Sequence, residues 1–125
     1  MKALFLGNVA ADTANGIKGE LPAGLVMEIV ADPQQLGQSP KAAADADILV
    51  TNHWRAEYPP APHVRLVQSV ATGIELIDLT ALPRGVTVCN AFGHETAIAE
   101  YILMVMLVWS HRLREIEADF RTRSS

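Results

Sequence analysis

The segment Ser69-Val70-Ala71-Thr72-Gly73 holds the residue types best suited to chemistry in this 125-residue chain. It closes an apolar run that starts at Val64, and Ile74-Glu75-Leu76-Ile77-Asp78 follows it. A turn of small residues leading into a helix exposes backbone N–H groups that can hold a carboxylate. In an open α/β sheet, ligands gather beyond the carboxyl ends of the strands. The same residues also fit a plain strand-to-helix turn with Asp78 as a surface or capping residue. Residue types alone leave the two readings even.

Other catalytic constellations are missing from the sequence. The histidines, His53, His63, His94 and His111, are not paired at metal-ligand spacing, and Cys89 has no ligand beside it, so no metal site is expected. There is no G-x-S-x-G and no phosphate-binding P-loop. The early glycines, Gly7, Gly16 and Gly19, do not make G-x-G-x-x-G. A phospho-receiver needs clustered carboxylates after its first and third strands to hold magnesium. Here those places read Gly7-Asn8 and Thr51-Asn52. The hydroxyl- and glycine-rich loop of a flavin module is absent as well.

The elements that must position the Ser69–Gly73 turn alternate between strands and helices. Lys2–Leu6 reads as a first strand buried on both faces, followed by a loop holding Asn8, Asp12, Asn15 and Gly16 with room for a short helix. Leu25–Val30 is a short apolar run between Gly24 and Pro33, hence a second strand. Pro33 suits a first helical turn, and Lys41–Ala46 is alanine-rich and helical. Asp47–Val50 reads as strand, and 51–63, with Pro59, Pro60 and Pro62, as loop. Val64–Val70 is a fourth strand, Gly73–Ala81 a short helix ended by Pro83, and Val86–Val88 a fifth strand. This alternation predicts an α/β fold with a parallel sheet.

One long last helix is expected from Glu95 to about Arg121. Residues 97–109 are apolar apart from Glu100; thirteen residues are too few to span a membrane, so they read as a buried core helix. Further on, Trp109, Leu113, Ile116 and Phe120 make one stripe. A helix apolar all round needs cover on every side, and a five-stranded layer covers one. The expectation is a missing partner surface: a second copy, or a second domain.

Composition excludes several classes. A formal net charge of −4 argues against nucleic acid and anionic membranes as partners. Aromatics at 6% are too few for base-stacking platforms. The single cysteine, Cys89, cannot form an internal disulfide and reads as a small buried hydrophobe; a reducing, cytoplasmic setting is expected. The apolar start is interrupted by Gly7-Asn8 after four residues, too soon for a secretory core.

Three segments carry a family resemblance. Residues 67–78, Val-Gln-Ser-Val-Ala-Thr-Gly-Ile-Glu-Leu-Ile-Asp, resemble L-x-x-G-x-G-x-[DE]-x-I-D. Gly85-Val86-Thr87-Val88-Cys89-Asn90 resembles G-[IV]-x-V-x-N. Ala97-Ile98-Ala99-Glu100, with Met106-Leu107 and Arg112, resembles V-A-E followed by [ML]-L and R. Any one is weak; all three in order are similar to the N-terminal region of the D-isomer specific 2-hydroxyacid dehydrogenases. The resemblance covers residues 64–112. The first glycine of G-x-G is Ala71 here, a departure that bears on the carboxylate assignment.

That resemblance implies a flavodoxin-like substrate domain at 1–93, an open parallel five-stranded sheet with flanking helices. It implies a long interdomain crossing helix at 94–125. A Rossmann domain binding NAD or NADP, with the catalytic arginine, glutamate and histidine, would lie elsewhere, so the chain reads as a fragment that neither turns over nor binds NAD tightly by itself. By position, Thr72 and Gly73 would hold the substrate carboxylate, and Asn52, His53 and Trp54 would line the substrate pocket. Thr72, His94 and Thr96 would lie toward the cofactor, and no catalytic residue is assigned. The implied substrate is a small 2-hydroxy or 2-keto acid, and the expected assembly a homodimer through the 95–121 helix. The competing expectation is a stand-alone carboxylate-binding or oligomerisation domain without catalysis.

Overall fold

A computed structural model of the chain describes residues 1–123. Residues 1–91 form one unit, built on five parallel strands: β1 (Lys2–Leu6), β2 (Val26–Val30), β3 (Ile48–Val50), β4 (Leu66–Gln68) and β5 (Thr87–Cys89). Their order across the sheet is β2-β1-β3-β4-β5, the flavodoxin-like order. Period-two alternation splits β1 between two cores. Leu4 and Leu6 face one side with Leu36, Ala42, Ala43, Leu49, Trp54 and Val67. Ala3 and Phe5 face the other with Ala10, Ala14 and Val50. Helix α1 (Asn8–Ile17) covers the second face and α2 (Pro40–Ala44) the first. Parallel strands need such cover on both faces.

Two segments differ from the sequence expectation within this unit. Residues 8–17 are a ten-residue helix, which takes up the segment read as a loop with room for a short helix. Its asparagines and aspartate occupy the outer face while Ala10, Ala11 and Ala14 pack inward. Small alanines let the helix lie close to the sheet, and tertiary contact outweighs the weak propensities. Residues 73–81 do not form the expected helix. Ile77 instead bridges Trp54 in parallel: the Trp54 amide donates to Leu76 O at 2.9 Å and the Asp78 amide to Trp54 O at 2.9 Å. This bridge buries Ile77, which is 5% exposed. Residues 74–77 close one turn, the Ile77 amide donating to Ile74 O at 3.0 Å, and Leu79–Ala81 form a 3-10 turn capped by Asp78.

Cys89 is exposed rather than buried, because β5 is the sheet edge.

The second unit starts at Phe92 and holds α3 (Glu95–Ser110) and α4 (Leu113–Arg123). The expected single helix is therefore broken. Arg112 sits at φ 52°, and its amide donates to Trp109 O rather than continuing the i→i−4 ladder. Its carbonyl then accepts from Glu115 and Ile116, starting α4. The break falls where an all-round apolar helix gives way to a charged one. No residue of α3 is buried, against the expectation of a core helix. Among the described residues no helix is long and apolar enough to cross a membrane.

Candidate functional site

The β2-β1-β3 order places a topological switch point between β1 and β3, where connections leave in opposite directions. Open α/β sheets bind ligands in the crevice at that point. Gly7 ends β1 there. Its amide donates to Val30 O at 2.9 Å, and its carbonyl accepts from Ala11 to start α1. Gly7 has φ 98°, a backbone region that disfavours side chains. A Cβ at Gly7 would also lie 3.2 Å from His53 Cε1. The glycine therefore makes room for the imidazole.

His53 is positioned by the residues around it. The Thr51 hydroxyl, fully buried at the end of β3, donates to His53 O at 2.9 Å and accepts from the His53 amide at 3.2 Å. The Asn52 side chain meets the ring, with Nδ1 and Oδ1 2.9 Å apart. An amide oxygen only accepts, so Nδ1 carries the proton and Nε2 keeps its lone pair. Tyr58 stands edge-on to the ring, with centroids 6.0 Å apart. Burial, helped by the charge of Arg55, lowers the His53 pKa, leaving the ring neutral at pH 7.

Beyond the neighbouring strand β4 lies the 69–73 turn. The buried Ser69 hydroxyl donates to Gly73 O at 3.1 Å and accepts from the Ala71 amide at 3.2 Å. Asn90, just past β5, donates from Nδ2 to Thr72 O at 2.6 Å. The Ala91 amide donates to Ala71 O at 3.2 Å. Three successive carbonyls of the turn are thus tied to its own scaffold. No helix follows, so the turn lacks the helix dipole that the sequence reading supplied. The Glu75 carboxylate lies against Gly73, in the space a Cβ would take.

The sequence-derived residues fall into three groups. Asn52 and His53 meet over Gly7, and Thr72 and Gly73 belong to the tied turn on the adjacent strand. Trp54, expected to line a pocket, is 1% exposed and belongs to the core, where it packs edge-on against Tyr58 at 5.4 Å. Its bridge to Ile77 turns it inward, so it is unavailable to a ligand. His94 and Thr96 belong to the second unit, at the start of α3. Glu95 beside them accepts from the Gly93 amide at 2.9 Å. Its own amide and that of Gly93 hold its carboxyl below the usual range.

Sequence reasoning missed Gly7, Glu75 and Asn90 as parts of the site, and it placed Ser69 in the turn without its tying role. A glycine directly after a buried strand was the available signal for Gly7, since it marks close approach. Ser69 and Asn90 act through hydrogen bonds across strands, which no local pattern announces. Among the described residues no group of three or more His, Cys, Asp or Glu could hold a metal ion.

The residues present do not fit a dinucleotide. The turn after β1 offers one glycine, Gly7, and the His53 ring covers it. In comparisons with known proteins, no family model matches the sequence, and no curated protein or solved structure matches the chain.

Proposed function

We propose that residues 1–91 are the substrate-binding half of an NAD(P)-dependent oxidoreductase acting on the CH–OH group of a 2-hydroxy acid. The observation that carries this reading is the tied 69–73 turn standing next to Asn52 and His53 at the carboxyl edge of the sheet. With the carbonyls of Ala71, Thr72 and Gly73 engaged by Ala91, Asn90 and Ser69, the turn is held in one shape at the end of β4, where a ligand of the sheet would sit. The three resembling segments add the reaction class. In this reading the nicotinamide and the proton-accepting machinery belong to a separate nucleotide domain, and this chain supplies binding and orientation. The chain works in the cytoplasm and pairs with a second copy through α3, whose large apolar side chains are exposed.

The test is a titration of the isotope-labelled chain with pyruvate, D-lactate and NADH, followed by backbone amide shifts. Millimolar pyruvate and D-lactate are expected to move the amides of 71–74, and NADH to move none. Micromolar NADH binding by this chain would overturn the division of labour. Unmoved amides at 71–74 would overturn the carboxylate site. A carboxylate-binding module without catalysis gives the same titration. The chain mixed with a matching nucleotide domain separates them, because the module alone leaves NAD unreduced.

A further inference from the structure

We infer that two copies of the chain pair through one straight helix each: the bend between α3 and α4 opens, and the two helices lie antiparallel with Trp109 of both copies at the two-fold axis. The inference rests on the reading that a second copy covers α3.

From Ile98 to Phe120, apolar residues recur at intervals of 4, 3, 4, 4, 3 and 4, passing through Trp109. Eleven residues are close to three helical turns, so this stripe keeps to one face of a straight helix. The bend divides it between two axes. Every residue of the stripe is 44% to 85% exposed, and Trp109 is the barest. A groove of about 830 Å³ lies open between α3 and α4, lined by Tyr101, Met104, Val105, Val108, Trp109 and Arg114 among others. The bend therefore leaves the stripe uncovered.

Little in the local sequence holds the bend in place. Sharp kinks belong to proline or glycine, and there is neither between Glu95 and Arg123. Arg112 turns the chain at φ 52°, a region that side chains rarely adopt. Its ion pair with Glu115 spans three residues and fits a straight helix as well.

The stripe is symmetric about Trp109. Two antiparallel copies centred there set Ile98 opposite Phe120, Ile102 opposite Ile116 and Val105 opposite Leu113. A two-fold contact needs this self-complementarity. The same register sets Glu95 of each copy opposite Arg123 of the other, whereas a parallel pair sets Glu95 beside Glu95. Antiparallel helix dipoles favour the first arrangement too. The stripe offers on the order of 900 Å² per copy, about what each partner of a stable dimer contributes. A bent chain presents only half of the stripe to a straight partner, so burial of the whole stripe favours the open form.

The test is crosslinking between copies under mild oxidation, with the exposed Cys89 replaced as Cys89→Ser. Trp109→Cys should crosslink to itself. Ile98→Cys and Phe120→Cys should each fail alone and crosslink when mixed. A second measurement keeps the stripe intact. Spin labels at Ala97→Cys and Ala118→Cys of one chain, diluted into unlabelled chain, should stand about 32 Å apart in the dimer, the rise of a straight helix. They should draw closer when dilution leaves monomers. Ile98→Cys crosslinking to itself would show a parallel pair and overturn the inference. A dimer in which the labels keep the shorter distance would overturn the opening while leaving the second copy on α3. A chain that stays monomeric at every concentration would overturn the pairing and this inference with it.

Discussion

The Glu75 carboxylate is the side chain most at odds with an anion site, since it lies against Gly73. Two carboxylates cannot share one turn without repulsion. A ligand carboxylate at 72–73 must displace Glu75, and the displacement weakens binding. Glu75→Gln should therefore tighten pyruvate and D-lactate about three- to tenfold at low ionic strength, with a smaller gain in high salt. Calorimetry at two salt concentrations checks this, and unchanged affinity would place the anion elsewhere. His53 carries a second prediction, about stability. Its pKa is lowered in the folded chain, mainly by burial, from an ordinary value of 6.5. Below pH 6.5 the unfolded chain takes up a proton there before the folded chain does. Stability should thus be full above that pH and fall as the pH drops toward the lowered folded value. Carboxylates also lose their stabilising effect in acid, so the comparison must isolate the histidine. Melting curves at pH 7.5 and pH 5 should show a smaller acid loss for His53→Phe than for the unaltered chain.

The break at Arg112 gives the clearest contest between local pattern and structure among the helices. Trp109, Leu113, Ile116 and Phe120 keep one helical stripe across it, which is why the sequence reads as one helix. The stripe records spacing but is blind to a single left-handed residue inside it. Arg112→Gly separates the two descriptions by sign. At φ 52° a glycine relieves a conformation that costs other residues about 1–2 kcal/mol, so the bend tightens and helicity is kept. In a continuous helix the same glycine costs about 1 kcal/mol and helicity at 222 nm drops. Elsewhere the strands were legible because Leu4, Phe5, Leu49 and Val67 lie in short apolar runs set off by glycine, proline and polar residues. The full extent of helix α1 was not, because its three inward alanines are outnumbered by turn-forming residues. The bridge that replaces a helix at Ile77 was not legible either. It depends on Trp54, more than twenty residues away in sequence. The site divides the same way: loop positions such as Asn52 and His53 follow from strand ends, whereas the glycine beneath the ring and the Asn90 tie appear only when strands are neighbours.

Nine large apolar side chains on α3, from Ile98 to Trp109, are each 44% to 85% exposed. Together they offer on the order of 1000 Å², more than the roughly 800 Å² each partner contributes to a standard interface. A patch of that size marks an association surface. In a second copy the same helix offers the same surface, and a self-complementary contact closes as a dimer. The helix must remain intact for the test to mean anything, so the substitutions are chosen to keep it. Leu103→Glu with Leu107→Lys places an acid four residues before a base, a pair that supports a helix. The unaltered chain should scatter light as a dimer that dissociates on dilution. The double variant should run as a monomer with undiminished helicity. A dimer that survives both charges would move the contact to the exposed sheet edge at β5, where Thr87 and Cys89 are uncovered. A monomer in both cases would leave α3 for a different chain or domain, which is the cover that the nucleotide-domain reading requires. The association measurement therefore bears on function as well as assembly, because it decides whether this helix pairs with itself or waits for the half that brings the cofactor.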